Sequence, residues 1–181
     1  QKNYVGYMPQ KDLLFPWRTI EKNLMLPMEI QKISKNEMAK RVDDILEEVG
    51  LTEYKTKYPK DLSGGMRQRI SFARTLLTSS DLMLLDEPFS ALDSLTRMDM
   101  QEWLLQEWEH FQKTILFITH DVEEAIFLSQ HIYLVVDRPI THLEKITVPL
   151  DYPRSRTQLK RPDILELKEQ LITNLRKQVS L

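Results

Sequence analysis

The chain has 181 residues, of which 41% are hydrophobic and 29% charged, a balance typical of a globular protein and not of a disordered one. Its formal net charge of −2 gives no positive excess that would capture DNA or an acidic membrane surface. There is no cysteine, which excludes disulfide frameworks, thiolate zinc sites and cysteine nucleophiles, and favours a reducing compartment such as the cytoplasm.

The N-terminal part of the sequence predicts a short strand followed by a small helical lobe. Tyr4 to Met8 has the aromatic and β-branched content of a strand, and Pro9 ends it. In the lobe, Ser34 and Glu37 have the spacing of a capping box, and Gly50 stands where a glycine commonly ends a helix. The apolar residues between them fall on one helical face: Met38, Val42, Ile45, Leu46 and Val49.

Helices and strands then alternate. A second helix follows a double glycine, and its predicted inner face carries Ile70, Ala73, Arg74 and Leu77. The later segments are predicted as strand Leu82 to Leu85, helix Ser94 to His110, strand Thr114 to Thr119, a helix capped by Asp121 with Glu124 three residues later, and strand Ile132 to Val136. This order predicts a parallel α/β sheet, and the wholly apolar first of these strands predicts that both faces of the sheet are covered.

The sequence changes character after Asp137. Prolines punctuate a polar connector, and a last amphipathic helix follows it. The residues that recur at helical spacing in that helix are Ile164, Leu165, Lys168, Leu171, Ile172, Leu175 and Val179.

The double glycine lies where the second helix begins. The hydroxyl of Ser63 can cap this helix, while Gly64 and Gly65 allow a ligand to come close to backbone amides at the positive end of the helix dipole. This arrangement suits a phosphate. An ordinary serine cap with a flexible approach would use the same residues, so that alternative stays open.

Two carboxylates follow the strand Leu82 to Leu85. Asp86 lies at the carboxyl end of a parallel strand, where ligands bind in open α/β sheets, and its hard oxygen atoms suit Mg²⁺ bound with the phosphates of a nucleotide. Glu87 is then placed to orient an attacking water or to act as its general base. The alternative is an acidic turn after a core strand.

Two further polar residues end predicted strands. His120 follows Thr119, and its ring N–H could reach a γ-phosphate near the attacking water, although a histidine at a strand end is also commonly an ordinary polar residue. Gln10 follows the first strand and indicates nothing by itself.

Taken together, these features resemble the nucleotide-binding subunit of an ATP-binding cassette (ABC) transporter. The matching residues occur in the family's order over nearly the whole chain: Gln10, Leu62 to Gly65, Leu82 to Glu87, Ser90 to Asp93, and His120. The resemblance implies an α/β fold, namely the C-terminal part of a P-loop NTPase sheet with an inserted α-helical subdomain. It implies that residues 1–10 form a strand of the ATPase core and the start of the glutamine loop, and that residues 11–62 form the helical subdomain. Residues 63–137 would form the rest of the ATPase core, and residues 138–181 a connector and an amphipathic helix.

The resemblance also implies catalytic roles and cofactors. Gln10 would contact Mg²⁺ and the attacking water and would couple the site to the membrane partner. Asp86 would be the Walker B aspartate that binds Mg²⁺, Glu87 the catalytic glutamate, and His120 the switch histidine. The expected cofactors are ATP and Mg²⁺.

The implied contacts with ATP lie in the signature segment and the loop after Glu87. The signature Leu62 to Arg69 would grip ATP held by the opposite subunit, so one site would need two chains. Ser90 to Asp93 matches the loop between subunits. The implied ATP-binding residues are Ser63, Gly64, Gly65, Gln68 and Asp93.

The family resemblance sets the expected partners and location. They are a second ATPase subunit, a transmembrane permease and, indirectly, an external solute-binding protein, with no nucleic acid, at the inner face of the cell membrane. Leu13 to Asn23 and the tail from Asp137 are similar to importers for nitrate, sulfonates, taurine and the thiamine-precursor pyrimidine.

One element of the family pattern is absent from the sequence. A Walker A loop needs Gly-x-x-x-x-Gly-Lys followed by Ser or Thr, and none of the four glycines precedes a lysine. Either the chain is the C-terminal part of a longer ATPase, or it has lost its motor and serves as a binding partner. The intact Asp86, Glu87 and His120 favour the first expectation.

Two alternatives belong to other functional classes. A chromosome-maintenance or DNA-repair ATPase shares the signature and Walker B pattern, but it needs a long coiled-coil insertion or a basic face, and this sequence has neither. A non-catalytic interaction module that docks through the helical lobe stays open. Retention on DNA would favour the former class, and co-purification with a hydrophobic permease would favour transport.

We predict that the 181-residue polypeptide by itself binds ATP poorly and does not hydrolyse it. The physical reason is that the missing loop supplies most of the contacts with the phosphates. Isothermal titration calorimetry with Mg²⁺ and ATP tests this, and micromolar affinity would contradict it.

Overall fold

The computed structural model describes residues 5–78, 80–111, 113–135 and 139–179. The chain divides into two compact units, Gln1–Met100 with Phe111–Ile118 and Gln101–His110 with Thr119–Leu181. Among the helices of the described part, none is both long enough and apolar enough to cross a membrane.

The first unit contains a parallel three-stranded sheet. Its strands are β1 (Gly6–Met8), β2 (Leu82–Asp86) and β3 (Thr114–Ile118), with β2 in the centre. Both pairs are parallel, with Met8 opposite Leu85 and Asp86 opposite Ile118. The predicted parallel pairing of these strands is confirmed.

Only one face of this sheet is buried by the described residues. Met8, Met83 and Leu85 are fully buried, whereas alternate residues on the opposite face are exposed: Tyr7 (56%), Leu82 (36%), Leu116 (52%) and Ile118 (55%). Successive side chains of a strand point to opposite faces, so the apolar run places apolar side chains on both faces, but the described residues cover only one of them. The prediction that both faces are covered is wrong for the described residues.

Three helices accompany the sheet in the first unit. They are α1 (Ile20–Ile30), α2 (Lys35–Glu48) and α3 (Gly64–Leu76), and α1 contacts both of the others. The Ser34 hydroxyl accepts from the Glu37 N–H at the start of α2, and Gly50 has φ +66° just after its end, a conformation that glycine adopts without steric cost. The predicted inner face of α2 is confirmed as buried.

Helix α3 buries a wider arc than the sequence predicted. Ile70 and Ala73 are fully buried as expected, but Phe72 is also buried, at 1% exposure. The reason is that α3 packs against α1 on one side and against β1 on another. Arg74 on the predicted inner face is half-buried, and burial lowers the pKa of its guanidinium.

Asn23 is a buried polar centre that the sequence did not reveal. It lies in α1 with no exposed surface, and its side-chain oxygen accepts from the Phe15 N–H at 2.7 Å. Its amide nitrogen lies within 3.1 Å of three backbone oxygens, those of Phe15, Arg18 and Thr19. One side chain therefore holds the turn that enters α1.

A fourth helix, α4 (Ser94–Phe111), has residues in both units. The second unit also contains α5 (Val122–Leu128), β4 (His131–Val135), β5 (Leu143–Thr147) and α6 (Pro162–Val179). Strand β4 pairs antiparallel with β5 and not with the parallel sheet, so the predicted third parallel strand at Ile132 to Val136 is corrected. Val136 itself lies outside the described residues.

The apolar core of the second unit lies between α5, the β4–β5 hairpin and α6. The segment predicted as a polar connector contains β5 and supplies Val148 and Leu150 to this core. Helix α6 buries Ile164, Leu167 and Leu171, whereas Leu165 is 48% exposed. The predicted face was therefore displaced: it omitted Leu167 and included Leu165.

We predict that Asn23→Ala lowers the free energy of unfolding by about 3 kcal/mol, because each buried polar group left without a partner costs about 1–3 kcal/mol. Urea unfolding followed by circular dichroism measures the change. Asn36→Ala is the control, because Asn36 is exposed in the first turn of α2, and it should change the value by less than about 0.5 kcal/mol. Equal losses in the two variants would contradict the role of Asn23.

Candidate functional site

The carboxyl ends of β1 and β2 bring Gln10 and Glu87 together. Because Met8 lies opposite Leu85, Gln10 and Glu87 each lie two residues beyond this opposing pair. The Gln10 amide nitrogen donates to Glu87 Oε2 at 2.9 Å. This bond uses the nitrogen of the amide, and the oxygen Oε1 is the atom that a cation could bind.

Glu87 has an unusual backbone conformation for a residue with a side chain. Its φ is +46°, in the left-handed region that non-glycine residues rarely adopt. The surrounding backbone holds it there: its N–H donates to the Ile118 carbonyl at 2.9 Å, and its carbonyl accepts from the Ser90 N–H and hydroxyl. Such conformations persist where the fold over-determines them and often lie at functional sites.

Asp86 is the last residue of β2 and is half-buried beside Glu87. Its carboxylate and the amide oxygen of Gln10 are the kinds of oxygen ligand that Mg²⁺ prefers. Among the residues that the structure describes, no three acidic or histidine side chains form a metal-binding group. The carboxylate of Asp86 and the amide oxygen of Gln10 suit a cation that also binds water and phosphate.

The signature segment forms the exposed N-terminal end of α3. The Ser63 hydroxyl accepts from the Met66 N–H at 3.2 Å, so the predicted cap forms. Gly64 is exposed, and the nearest atom to a Cβ built there is 3.9 Å away, on the side chain of Arg67. A Cβ built on Gly65 would lie 3.3 Å from Leu92, in the loop after Glu87. The corner at Gly64 is thus open to a ligand.

Gln68 and Asp93 are both engaged in contacts within the first unit. Gln68 is 3% exposed, and its amide nitrogen donates to the Pro88 carbonyl at 3.0 Å. Asp93 is exposed and accepts from the Thr96 N–H at 3.0 Å, which caps the start of α4 and lowers the pKa of the carboxyl. The sequence had not predicted either contact.

Two arginines of α3 hold the loop that follows Gln10. Arg67 Nε donates to Asp12 Oδ2 at 3.0 Å, and the two terminal nitrogens of Arg74 donate to the carbonyls of Leu13 and Asp12 at 2.9 Å each. The loop is therefore fastened to the helix that carries the signature. An arginine among the apolar residues of the predicted α3 face was the only sequence signal for this arrangement.

His120 belongs to the second unit, where it lies between Thr119 and the N-cap of α5, Asp121. The Asp121 carboxylate accepts from the N–H groups of Glu123 and Glu124, so the predicted cap of this helix forms. The Asp121 N–H donates to the Thr119 hydroxyl at 3.0 Å. The Thr119 side chain and the Asp121 backbone, on the two sides of His120, are thus joined by a hydrogen bond.

The chain is similar to known proteins in sequence and fold. The family described as ABC transporter matches residues 1–90. The formylaminopyrimidine import ATP-binding protein ThiZ of Halalkalibacterium halodurans is 42% identical over 97% of this chain and 68% of its own length. The nitrate import ATP-binding protein NrtD of Synechocystis sp. is 38% identical over 94% of this chain and 66% of its own length.

A solved structure of the ATP-binding cassette MJ0796, a dimer bound to ADP and Pi, is similar with a TM-score of 0.69 and 26% identity, over 82% of this chain and 65% of that one. The chain thus spans about two thirds of the length of the proteins it matches. The identity to ThiZ and the agreement in fold show the family. The chain belongs to the ATP-binding subunits of ABC transporters.

Proposed function

We propose that this chain serves in an ATP-hydrolysing subunit of an importer. The observation that carries the proposal is the 2.9 Å contact between Gln10 and Glu87 at the carboxyl ends of two parallel strands. It joins the amide of Gln10 to the carboxylate that follows Asp86 in the chain, at the edge where ligands bind in open α/β sheets. These groups suit the activation of water against a nucleotide phosphate.

Glu87 is the proposed general base. Its carboxylate accepts a proton from the attacking water, and Gln10 holds that carboxylate in place through its amide nitrogen. Asp86 and the amide oxygen of Gln10 would hold Mg²⁺. When bound, Mg²⁺ offsets the negative charge that develops on the phosphate oxygens.

The open end of α3 is the proposed contact with ATP bound to a second copy of the subunit. Ser63, Gly64 and Gly65 present backbone amides at the positive end of a 13-residue helix, which suits the terminal phosphates. Asp93 would face the same interface. Gln68, which is buried against Pro88, would support the loop after Glu87 from within.

His120 is proposed to sense the terminal phosphate through its ring N–H. In this proposal the ATPase core is residues 1–10 with 63–137, the helical subdomain is 11–62, and residues 138–181 form a connector and an amphipathic helix. The partners would be a second ATPase subunit, a membrane permease and an external solute-binding protein, at the inner face of the membrane. The imported solute would be small, as the names of ThiZ and NrtD suggest for those proteins.

We predict that Glu87→Gln, in an ATPase subunit that joins these residues to a Walker A loop, keeps ATP binding and lowers turnover by roughly 100-fold or more, because an amide cannot accept the proton. Equilibrium ATP binding and phosphate release measure the two quantities. Glu53→Gln is the control, because Glu53 is exposed in a short 3-10 turn, Thr52–Tyr54. Unchanged turnover in Glu87→Gln would remove Glu87 as the base.

We also predict that Gly64→Val in the Glu87→Gln subunit abolishes ATP-dependent dimerisation and leaves the thermal midpoint nearly unchanged. A Cβ at this position would meet only the side chain of Arg67, at 3.9 Å, so the added group would enter the open corner without a clash at its Cβ. Sedimentation with and without ATP and Mg²⁺ measures the association.

The matched control for Gly64→Val is Lys35→Val. Lys35 is the first residue of α2 and follows the serine cap Ser34, just as Gly64 follows Ser63 in α3. The control should dimerise normally. Dimerisation of Gly64→Val at the same ATP concentration would contradict the placement of the phosphate.

A further inference from the structure

Helix α5, which follows His120, is held by side chains from the C-terminal segment 150–168. At seven residues, α5 is too short to be stable by its own hydrogen bonds. Its position therefore depends on contacts with other segments. Two arginines, Arg154 and Arg156, make these contacts, and each contact described below lies within the second unit.

Arg154 holds the C-terminal end of α5. Its Nη1 atom lies 2.9–3.1 Å from the carbonyls of Ile126, Phe127 and Ser129, and its Nη2 atom donates to the Leu150 carbonyl at 2.8 Å. A cation at this end of a helix satisfies carbonyls that have no partner in the helix and opposes the negative end of the helix dipole.

Arg156 acts at the other end of α5 through a chain of side chains. Its Nη2 atom donates to Gln101 Oε1 at 2.7 Å, and the Gln101 amide nitrogen donates to Glu124 Oε1 at 2.7 Å. The second oxygen of Glu124 accepts from the hydroxyl of Thr119. Thr119 immediately precedes His120, and its hydroxyl also accepts from the N–H of Asp121, which follows His120.

The orientation of the Gln101 amide is the step that transmits the effect of Arg156. While Arg156 donates to the oxygen, the nitrogen of the same amide faces Glu124. If the guanidinium is removed, the amide oxygen loses its donor, and only the bond from the amide nitrogen to the buried Glu124 carboxylate still positions the Gln101 side chain. Gln101 and Glu124 are 4% and 6% exposed, so water cannot readily replace the lost bond.

The guanidinium of Arg156 is itself placed by two further contacts. Its Nε atom donates to Glu102 Oε1 at 2.8 Å, and its central carbon lies 4.7 Å from the centre of the Phe127 ring. The planar fork of arginine satisfies Gln101, Glu102 and the aromatic face at once. A lysine has one ammonium group and cannot make this set of contacts.

We propose that Arg156 is a positioning residue for His120, acting through Gln101, Glu124 and Thr119. The chain of hydrogen bonds fixes the turn from which the imidazole projects, so the C-terminal segment sets the direction of that ring. This inference rests on the proposed function only for the role of His120 in sensing the terminal phosphate. The position of the His120 ring can be measured without ATP.

Nuclear magnetic resonance of the histidine rings in the 181-residue chain tests the proposal. The chain has four histidines, and the signal of His120 is identified by its loss in His120→Gln. Arg156→Lys keeps the positive charge and removes the fork, so we expect the His120 ring signal to shift. The ring signals of His131 and His142 should stay in place and report an intact fold.

Gln101→Leu breaks the same chain with no change in charge. We expect it to displace the His120 signal as Arg156→Lys does, and the double variant should add little to either single change. The control is Arg161→Lys, because Arg161 forms an exposed ion pair with Asp163. It should leave the His120 signal unchanged.

An unshifted His120 signal in both Arg156→Lys and Gln101→Leu would overturn the proposal, and so would full additivity in the double variant. A wild-type His120 signal in Arg156→Lys alone would indicate that the positive charge at position 156 is sufficient. That result would also overturn the proposal. The result is separate from the ATPase test: a failure of Glu87→Gln to slow turnover leaves the measured position of His120 as it is.

Discussion

The register of the parallel strands is the constraint on which the candidate site depends. Met8 lies opposite Leu85, so the loops that leave β1 and β2 begin at one level and bring Gln10 to Glu87. Gly6 permits β1 to lie this close to the end of α3, because a Cβ there would be 2.7 Å from the Thr78 hydroxyl. A shift of β1 by one residue would exchange its two faces and separate the pair.

The helical part of the first unit is connected to this edge by directed polar contacts. Arg67 and Arg74 fasten the loop after Gln10 to α3, and Asn23 fastens the next turn to α1. The signature end and the glutamine loop therefore share one rigid support. Any movement of α3 relative to β2 would therefore be transmitted to Gln10 through the backbone of Asp12.

The sequence allowed the residues with local signals to be predicted, and missed those whose partners are backbone atoms. Ser34, Ser63 and Gly50 follow local capping rules, and the end of a strand indicated Glu87, whereas only the family resemblance indicated Gln10. The environment of Asn23 depends on backbone atoms of the turn just before α1, which leave no pattern in the sequence. Strand β4 was recognised as a strand, but its hydrophobic pattern does not specify a partner, so its pairing with β5 required the structure.

The left-handed backbone conformation at Glu87 limits which amino acids can replace it during evolution. Residues branched at Cβ meet a steric penalty at a φ of +46° whatever their chemistry. Aspartate and asparagine tolerate this region better, but each is one methylene shorter and would fall short of the Gln10 amide. A lineage that drifts at this position therefore has few routes that preserve both the turn and the reach of the side chain.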